Sequence, residues 1–185
     1  VKFNLNNIFI NYSSIFKWLM IDKIKYKNIT FNNLSDKDFS NLMNSNGLFT
    51  FPAAPPLATL ELNSEYHKSL INSDYVFFDS GYFVLLLRYL KGIKVRKFSG
   101  YKFLKLLFNF LKLNQECKIF LVDPSSKISE NNFKYFENLG CKNMKKYVAP
   151  IYDTISIKDG SLLNDIQEFQ PDFVIINLGG GVQEV

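Results

Sequence analysis

One histidine and two cysteines in 185 residues leave this chain with almost none of the side chains that build transition-metal centres. Cys117 and Cys141 stand apart, with neither the CxxC nor the Cys/His spacing of a zinc site, and read as reduced cytosolic thiols rather than a disulfide. His67 is set among polar residues of a predicted helix and reads as a solvated surface histidine, so a metal site built on histidine is excluded. Acidic residues are scarce: 17 against 22 Lys and Arg give a net charge of +5. That excess suits an anionic ligand or a membrane and is too mild to argue for nucleic acid, of which no recognition signature is present. No apolar run is long enough to cross a bilayer, since the stretch 8–21 is interrupted by Asn11, Ser13, Ser14 and Lys17. No small-residue cleavage site follows it, so it is not a secretory signal either, and a cytoplasmic protein is expected. The chain opens on Val1 and closes on Val185 just after a glycine-rich turn, and the natural protein is expected to be longer at one or both ends.

What is present points to one α/β domain. The length fits a single core, and 47% apolar residues with 19 Phe and 10 Tyr can fill it. Residues 25–31 suggest a hairpin turning at Lys27-Asn28, and Ser35 to Asp38 read as the capped start of a helix running to Asn44. Strands are then predicted over 48–51, 75–78, 93–98, 119–122, 146–149 and 173–178. Helices are predicted over 57–71, 82–90, 101–113, 127–139 (closed by Gly140) and 161–169. Strict alternation implies parallel strands with right-handed crossovers, a Rossmann-like, mostly parallel sheet with helices on both faces. In such a sheet ligands bind beyond the carboxyl ends of the strands, where helix N-termini point their free N–H groups. The turns at Thr50, Asp79, Ser99-Gly100, Asp123 to Ser126, 150–153 and Gly179 to Gln183 are therefore expected to converge.

Two of these turns carry chemistry. Asp79 follows Tyr75-Val76-Phe77-Phe78, and a carboxylate so placed reads either as a general base or as the cap of the next helix. Gly179-Gly180-Gly181 follows Asn177-Leu178, and three glycines after a strand read either as an anion-binding concavity or as a flexible turn. Gln183 and Glu184 beside that turn suit a ribose or a sugar. The glycines open no helix, which argues against a dinucleotide-binding oxidoreductase.

Thr50, the strand-end Asp79, Arg96-Lys97-Phe98-Ser99-Gly100 and the closing run Pro171 to Glu184 together resemble the WecG/TagA/CpsF glycosyltransferases, over roughly residue 25 to the C-terminus. The resemblance makes residues 1–24 an N-terminal extension and 25–185 the enzyme domain, truncated before a C-terminal membrane-binding appendage. It implies metal-independent, inverting transfer of a sugar, N-acetylmannosamine or another hexose, from a UDP donor to a polyprenyl-diphosphate-linked acceptor in cell-surface polysaccharide or teichoic acid synthesis. UDP-sugar would be substrate, no cofactor would be needed, and the enzyme would work in the cytoplasm at the inner face of the membrane. Asp79 falls on the family's proposed base, and Gly181, Val182, Gln183 and Glu184 on its closing Pro-Lys-Gln-Glu. Thr50, Ser80, Gly81, Ser99, Gly100, Asp123, Ser125, Gly179, Gly180, Gly181, Gln183 and Glu184 are the expected donor- and acceptor-binding residues. Four departures, at Pro52, Ser80, Lys102 and Gly181-Val182, leave open the donor sugar and the alternative of a non-catalytic nucleotide-sugar or lipid-diphosphate binding protein. A homo-oligomer is compatible with the sequence.

Overall fold

The computed structural model describes residues 22–34, 38–43, 45–58, 60–62, 64–93, 95–152, 158–180 and 182–184. The 8–21 stretch, the capped start at Ser35 to Lys37, and Gly181 lie outside them.

The chain folds as the expected α/β unit. Strands β1 (Asp22–Tyr26) and β2 (Ile29–Asn33) form an antiparallel hairpin. Lys27 (φ 48°) and Asn28 (φ 64°) supply the two left-handed residues that a tight hairpin turn requires. There follow α1 (Phe39–Met43), β3 (Phe49–Thr50), α2 (Ala54–Ala58), α3 (Glu65–Asn72), β4 (Tyr75–Phe77) and α4 (Gly81–Lys91). The second half runs α5 (Gly100–Leu113), β5 (Lys118–Asp123), α6 (Ser126–Asn138), β6 (Asn143–Val148), α7 (Gly160–Phe169) and β7 (Phe173–Ile176).

The strands hydrogen-bond in two sheets rather than one, in the orders β1-β2-β4-β3 and β6-β5-β7, and every pair except the hairpin is parallel. Alternation along the strands places helices on both faces. Val76 of β4 packs with Leu70 of α3 and with Val84 and Leu87 of α4, whereas Phe77 packs on the other side with Leu107 and Leu111 of α5. In β5, Ile119 and Leu121 join that same α5 core, and Phe120 and Val122 meet Leu162 and Ile166 of α7. The α5 core therefore spans both sheets. Each fully buried Phe or Leu in it contributes about 1.5–3 kcal/mol.

Three local expectations are corrected. Among the described residues of 93–98 no ladder forms: Phe98 N–H donates to the Phe78 carbonyl (3.1 Å) and Arg96 N–H to the Asn33 side chain (2.8 Å), so an amide side chain stands where a strand partner was expected. The helix expected over 57–71 is two helices, because Ser64 restarts the chain as an N-cap, its Oγ accepting from His67 N–H at 3.2 Å. His67 is not a solvated surface residue. It is buried on the inner face of α3, and its Nε2 donates to the Lys27 carbonyl of the hairpin turn at 2.8 Å.

Candidate functional site

The carboxyl ends of β3 and β4 and the 95–99 segment meet at the N-termini of α4 and α5. Both helices are capped by serine, Ser80 Oγ accepting from Phe83 N–H (3.2 Å) and Ser99 Oγ from Lys102 N–H (3.3 Å). Ser80 thus takes the capping role at α4, and Asp79 does something else. Its Oδ1 accepts from the N–H of Gly100, the first residue of α5, at 2.8 Å. Among the described residues no protein group hydrogen-bonds Oδ2. Lys97 lies over the start of α4, where a Cβ on Gly81 would stand 3.6 Å from its Nζ. The result is a half-exposed carboxylate between two helix N-termini, with the Lys97 ammonium near the first residue of α4.

Thr50 is at the end of β3 as expected, but it is buried and its hydroxyl donates to the Tyr75 carbonyl at 3.4 Å. The next residue, Phe51, packs against Gly100 beside Asp79.

Asp123 and Ser125 belong to a second cluster, at the end of β5. Asp123 is fully buried, and its Oδ1 accepts from Asn132 (2.6 Å) on α6 and from Asn177 (2.8 Å) after β7. Ser125 caps α6, accepting from Ile128 N–H at 3.4 Å. Among the described residues, Asp123 Oδ2 and the neighbouring-turn Ser129 Oγ are buried without a hydrogen-bond partner.

The glycine turn crosses back to the first half. Gly180 faces Pro56 of α2, with 3.9 Å between an added Cβ and Pro56 Cγ. The N–H groups of Val182 and Gln183 both donate to the Gly179 carbonyl (3.1 and 3.2 Å), so these two amides close the turn on itself. Gln183 Nε2 reaches Glu184 Oε1 at 3.3 Å, and Glu184 is buried. Glu184 also bears on Tyr66 of α3, whose hydroxyl is pushed well above its ordinary pKa by burial and then by the Glu184 charge. Asp79, Ser80, Gly81, Ser99 and Gly100 are therefore brought together, Asp123 and Ser125 form a separate cluster, and Gly179, Gly180, Gln183 and Glu184 line a turn packed on α2 and α3.

Sequence reasoning missed a third polar group, next to the end of β6. The hydroxyls of Tyr147 (2.9 Å) and Tyr152 (2.7 Å) both donate to Asp159 Oδ2, while Oδ1 caps α7 through Leu162 N–H at 2.9 Å. Burial alone would raise the Asp159 pKa, but the Leu162 amide and the two tyrosine hydroxyls hold it below the usual carboxylate range. Both tyrosines are pushed up, first by burial and then by the bond to Asp159. The Asn132 and Asn177 ligands of Asp123 were equally unforeseen as partners, although Asn177 lies in the motif that carried the resemblance.

Among the described residues, no three His, Cys, Asp or Glu side chains are grouped to hold a metal ion, and no helix is long and apolar enough to cross a membrane. No curated protein gives a match to the chain. The model of the glycosyl transferase WecG/TagA/CpsF family matches residues 20–185, which takes in all three clusters. With that match over nearly its whole length, the chain belongs to the WecG/TagA/CpsF family of glycosyltransferases.

Proposed function

We propose that the protein transfers a hexose, such as N-acetylmannosamine, from a UDP-linked donor to a polyprenyl-diphosphate-linked acceptor in cell-envelope polysaccharide synthesis, with Asp79 as the base. The observation that carries this reading is the division of labour between the two Asp79 oxygens. Oδ1 is anchored by the Gly100 N–H, which fixes the carboxylate, and Oδ2 is left to accept a proton. In the proposed step an acceptor hydroxyl oxygen attacks the anomeric carbon of the donor and its proton passes to Oδ2. The bond from that carbon to the diphosphate oxygen breaks as the new bond forms, UDP leaves with the electron pair, and displacement from the far face inverts the centre.

Negative charge then grows on the diphosphate. The first-turn amides of Gly81 and Tyr82 in α4 and of Tyr101 in α5, behind the caps Ser80 and Ser99, and the Lys97 ammonium provide fixed positive potential there, while the Gly100 N–H stays on Asp79. These groups give a metal-independent way to stabilise the leaving group. Thr50 acts through packing, holding β3 on β4 so that Phe51 and Gly100 are placed. Asp123 and Ser125 set the end of β5, and Gly179, Gly180 and Gln183 border the donor from the other side, with the buried Glu184 at the end of their turn.

UDP release from UDP-N-acetylmannosamine in the presence of a lipid-linked acceptor tests the reading. Acceptor-dependent release that survives EDTA is expected. UDP binding with no release over any acceptor would instead identify a binding protein, the alternative raised by Pro52, Ser80, Lys102 and Gly181-Val182.

A further inference from the structure

Helix α4 is apolar on two sides. Val84 and Leu87 face the core, while Tyr82, Leu85, Leu86 and Tyr89 recur at i, i+3, i+4 and i+7 on the opposite side. That outer stripe would be polar on an ordinary surface helix. Here Tyr82 is 70% exposed, Leu85 47%, Tyr89 82% and the adjoining Leu90 76%. Tyr101, in the first turn of α5, is 80% exposed as well. Tyr82 and Tyr101 thus stand in the first turns of the two helices whose N-termini meet at Asp79.

Along the segment that carries this face, beyond Asp79 at its start, the charge is of one sign. Residues 81–113 contain eight Lys and Arg and no Asp or Glu, so against a chain total of +5 the remaining residues sum to −3. Arg88, Lys91, Arg96, Lys97 and Lys105 are exposed. A second copy of the chain meeting this face symmetrically would bring two such segments together, so charge disfavours self-association and favours an anionic partner. Tyrosine and leucine on a helix flanked by cations are the composition of a segment lying in the headgroup region of an anionic bilayer. With 11 residues, α4 is too short to span one.

We propose that the outer face of α4, with Tyr101 and the surrounding cations, docks on an anionic lipid surface. Docking there places the Asp79 mouth at the level of the headgroups. The benefit of that placement rests on the lipid-linked acceptor proposed above, whereas docking itself does not.

Flotation of the 185-residue chain with phosphatidylcholine vesicles, with and without phosphatidylglycerol, tests it. Binding is expected only with phosphatidylglycerol and is expected to fall as salt is raised. Arg88→Gln and Lys91→Gln should each weaken partitioning about fivefold, the loss of one cation near a charged surface. Tyr82→Ser combined with Tyr89→Ser should weaken binding further while leaving the unfolding temperature unchanged. Asp79→Asn should float like wild type, so a failure of the catalytic reading would leave docking intact. The proposal is overturned if the chain ignores anionic vesicles or if the tyrosine pair can be removed without loss. It is equally overturned if sedimentation shows a dimer that Tyr89→Ser dissolves, which would assign the face to a second copy.

Discussion

Replacing Asp79 by asparagine separates a base from a structural anchor, because asparagine keeps an oxygen where Oδ1 accepts the Gly100 N–H at 2.8 Å. What is lost is the charge and the capacity to take a proton. Losing a charge-assisted hydrogen bond in favour of a neutral one costs about 1 kcal/mol. Removing a negative charge from beside the N-terminus of α5 costs about 0.3–1 kcal/mol, and part of that is the same effect counted again. A total near 1 kcal/mol should lower the unfolding temperature of a chain this long by about 2–4 °C. Such a loss leaves nearly all molecules folded if the starting stability is of the usual order of 5–15 kcal/mol. Turnover should nevertheless fall about 10²- to 10⁴-fold. The barrier rises by about 3–5 kcal/mol, well beyond anything the stability change can explain. The assay is UDP release at saturating donor and acceptor, paired with calorimetric UDP affinity, which should hardly move. Asp79→Ala removes the anchor too, and should match the asparagine variant in rate while unfolding at a lower temperature. An Asp79→Asn enzyme with turnover within about twofold of wild type, far short of the expected base effect, would refute the argument and leave Asp79 as a clamp on α5.

Three further outcomes are expected. Asp123→Ala strands the side-chain amides of Asn132 and Asn177 in the interior and should cost about 2–5 kcal/mol in urea unfolding, more than Asn132→Ala or Asn177→Ala alone. Gly140 adopts φ +94°, and a Cβ there would lie 2.7 Å from Gln115 Nε2, so Gly140→Ala should lower thermal stability by about 1 kcal/mol or more. Asp159 has a folded pKa depressed below its unfolded value of about 3.9, so its stabilisation is complete above that value and is lost as pH falls through the folded pKa. The difference in unfolding temperature between wild type and Asp159→Asn should therefore be present at neutral pH and close on acidification below about pH 4.

The local signals in the sequence were legible where they were self-sufficient. Lys27-Asn28 marked the hairpin because two left-handed residues are a local demand, and Ile119 to Val122 marked a central strand because all four are buried. Long-range partners were not legible. His67 looked solvated beside Glu65 and Lys68, yet it lies three positions before Leu70 on the buried face, and its acceptor is a carbonyl 40 residues away. The Asp79 anchor is 21 residues on, and one Asp123 ligand 54 residues on, distances at which spacing carries no information. The 93–98 segment alternates like a strand, but the Asn33 side chain takes the Arg96 N–H, and among the described residues the one backbone bond from Phe98 to Phe78 is too few for a ladder. Averaging also hid something: a whole-chain charge of +5 concealed a stretch with eight cations and no anion.

The outermost strands have a consequence for how the protein behaves when concentrated. Among the described residues β1 ends one sheet, with Lys23 and Lys25 pointing to solvent while Ile24 and Tyr26 turn to the core. At one border of the other sheet, β6 carries Lys145, paired with Asp165, and Lys146, paired with Glu130. A further strand adding to either border would have to strip water from these ammonium groups or set them against their own kind, which discourages sheet-to-sheet polymerisation. The same lysines that contribute to solubility thus act as stops on sheet growth, and exchanging Lys23 and Lys25 for valine would turn a terminated sheet into an open template.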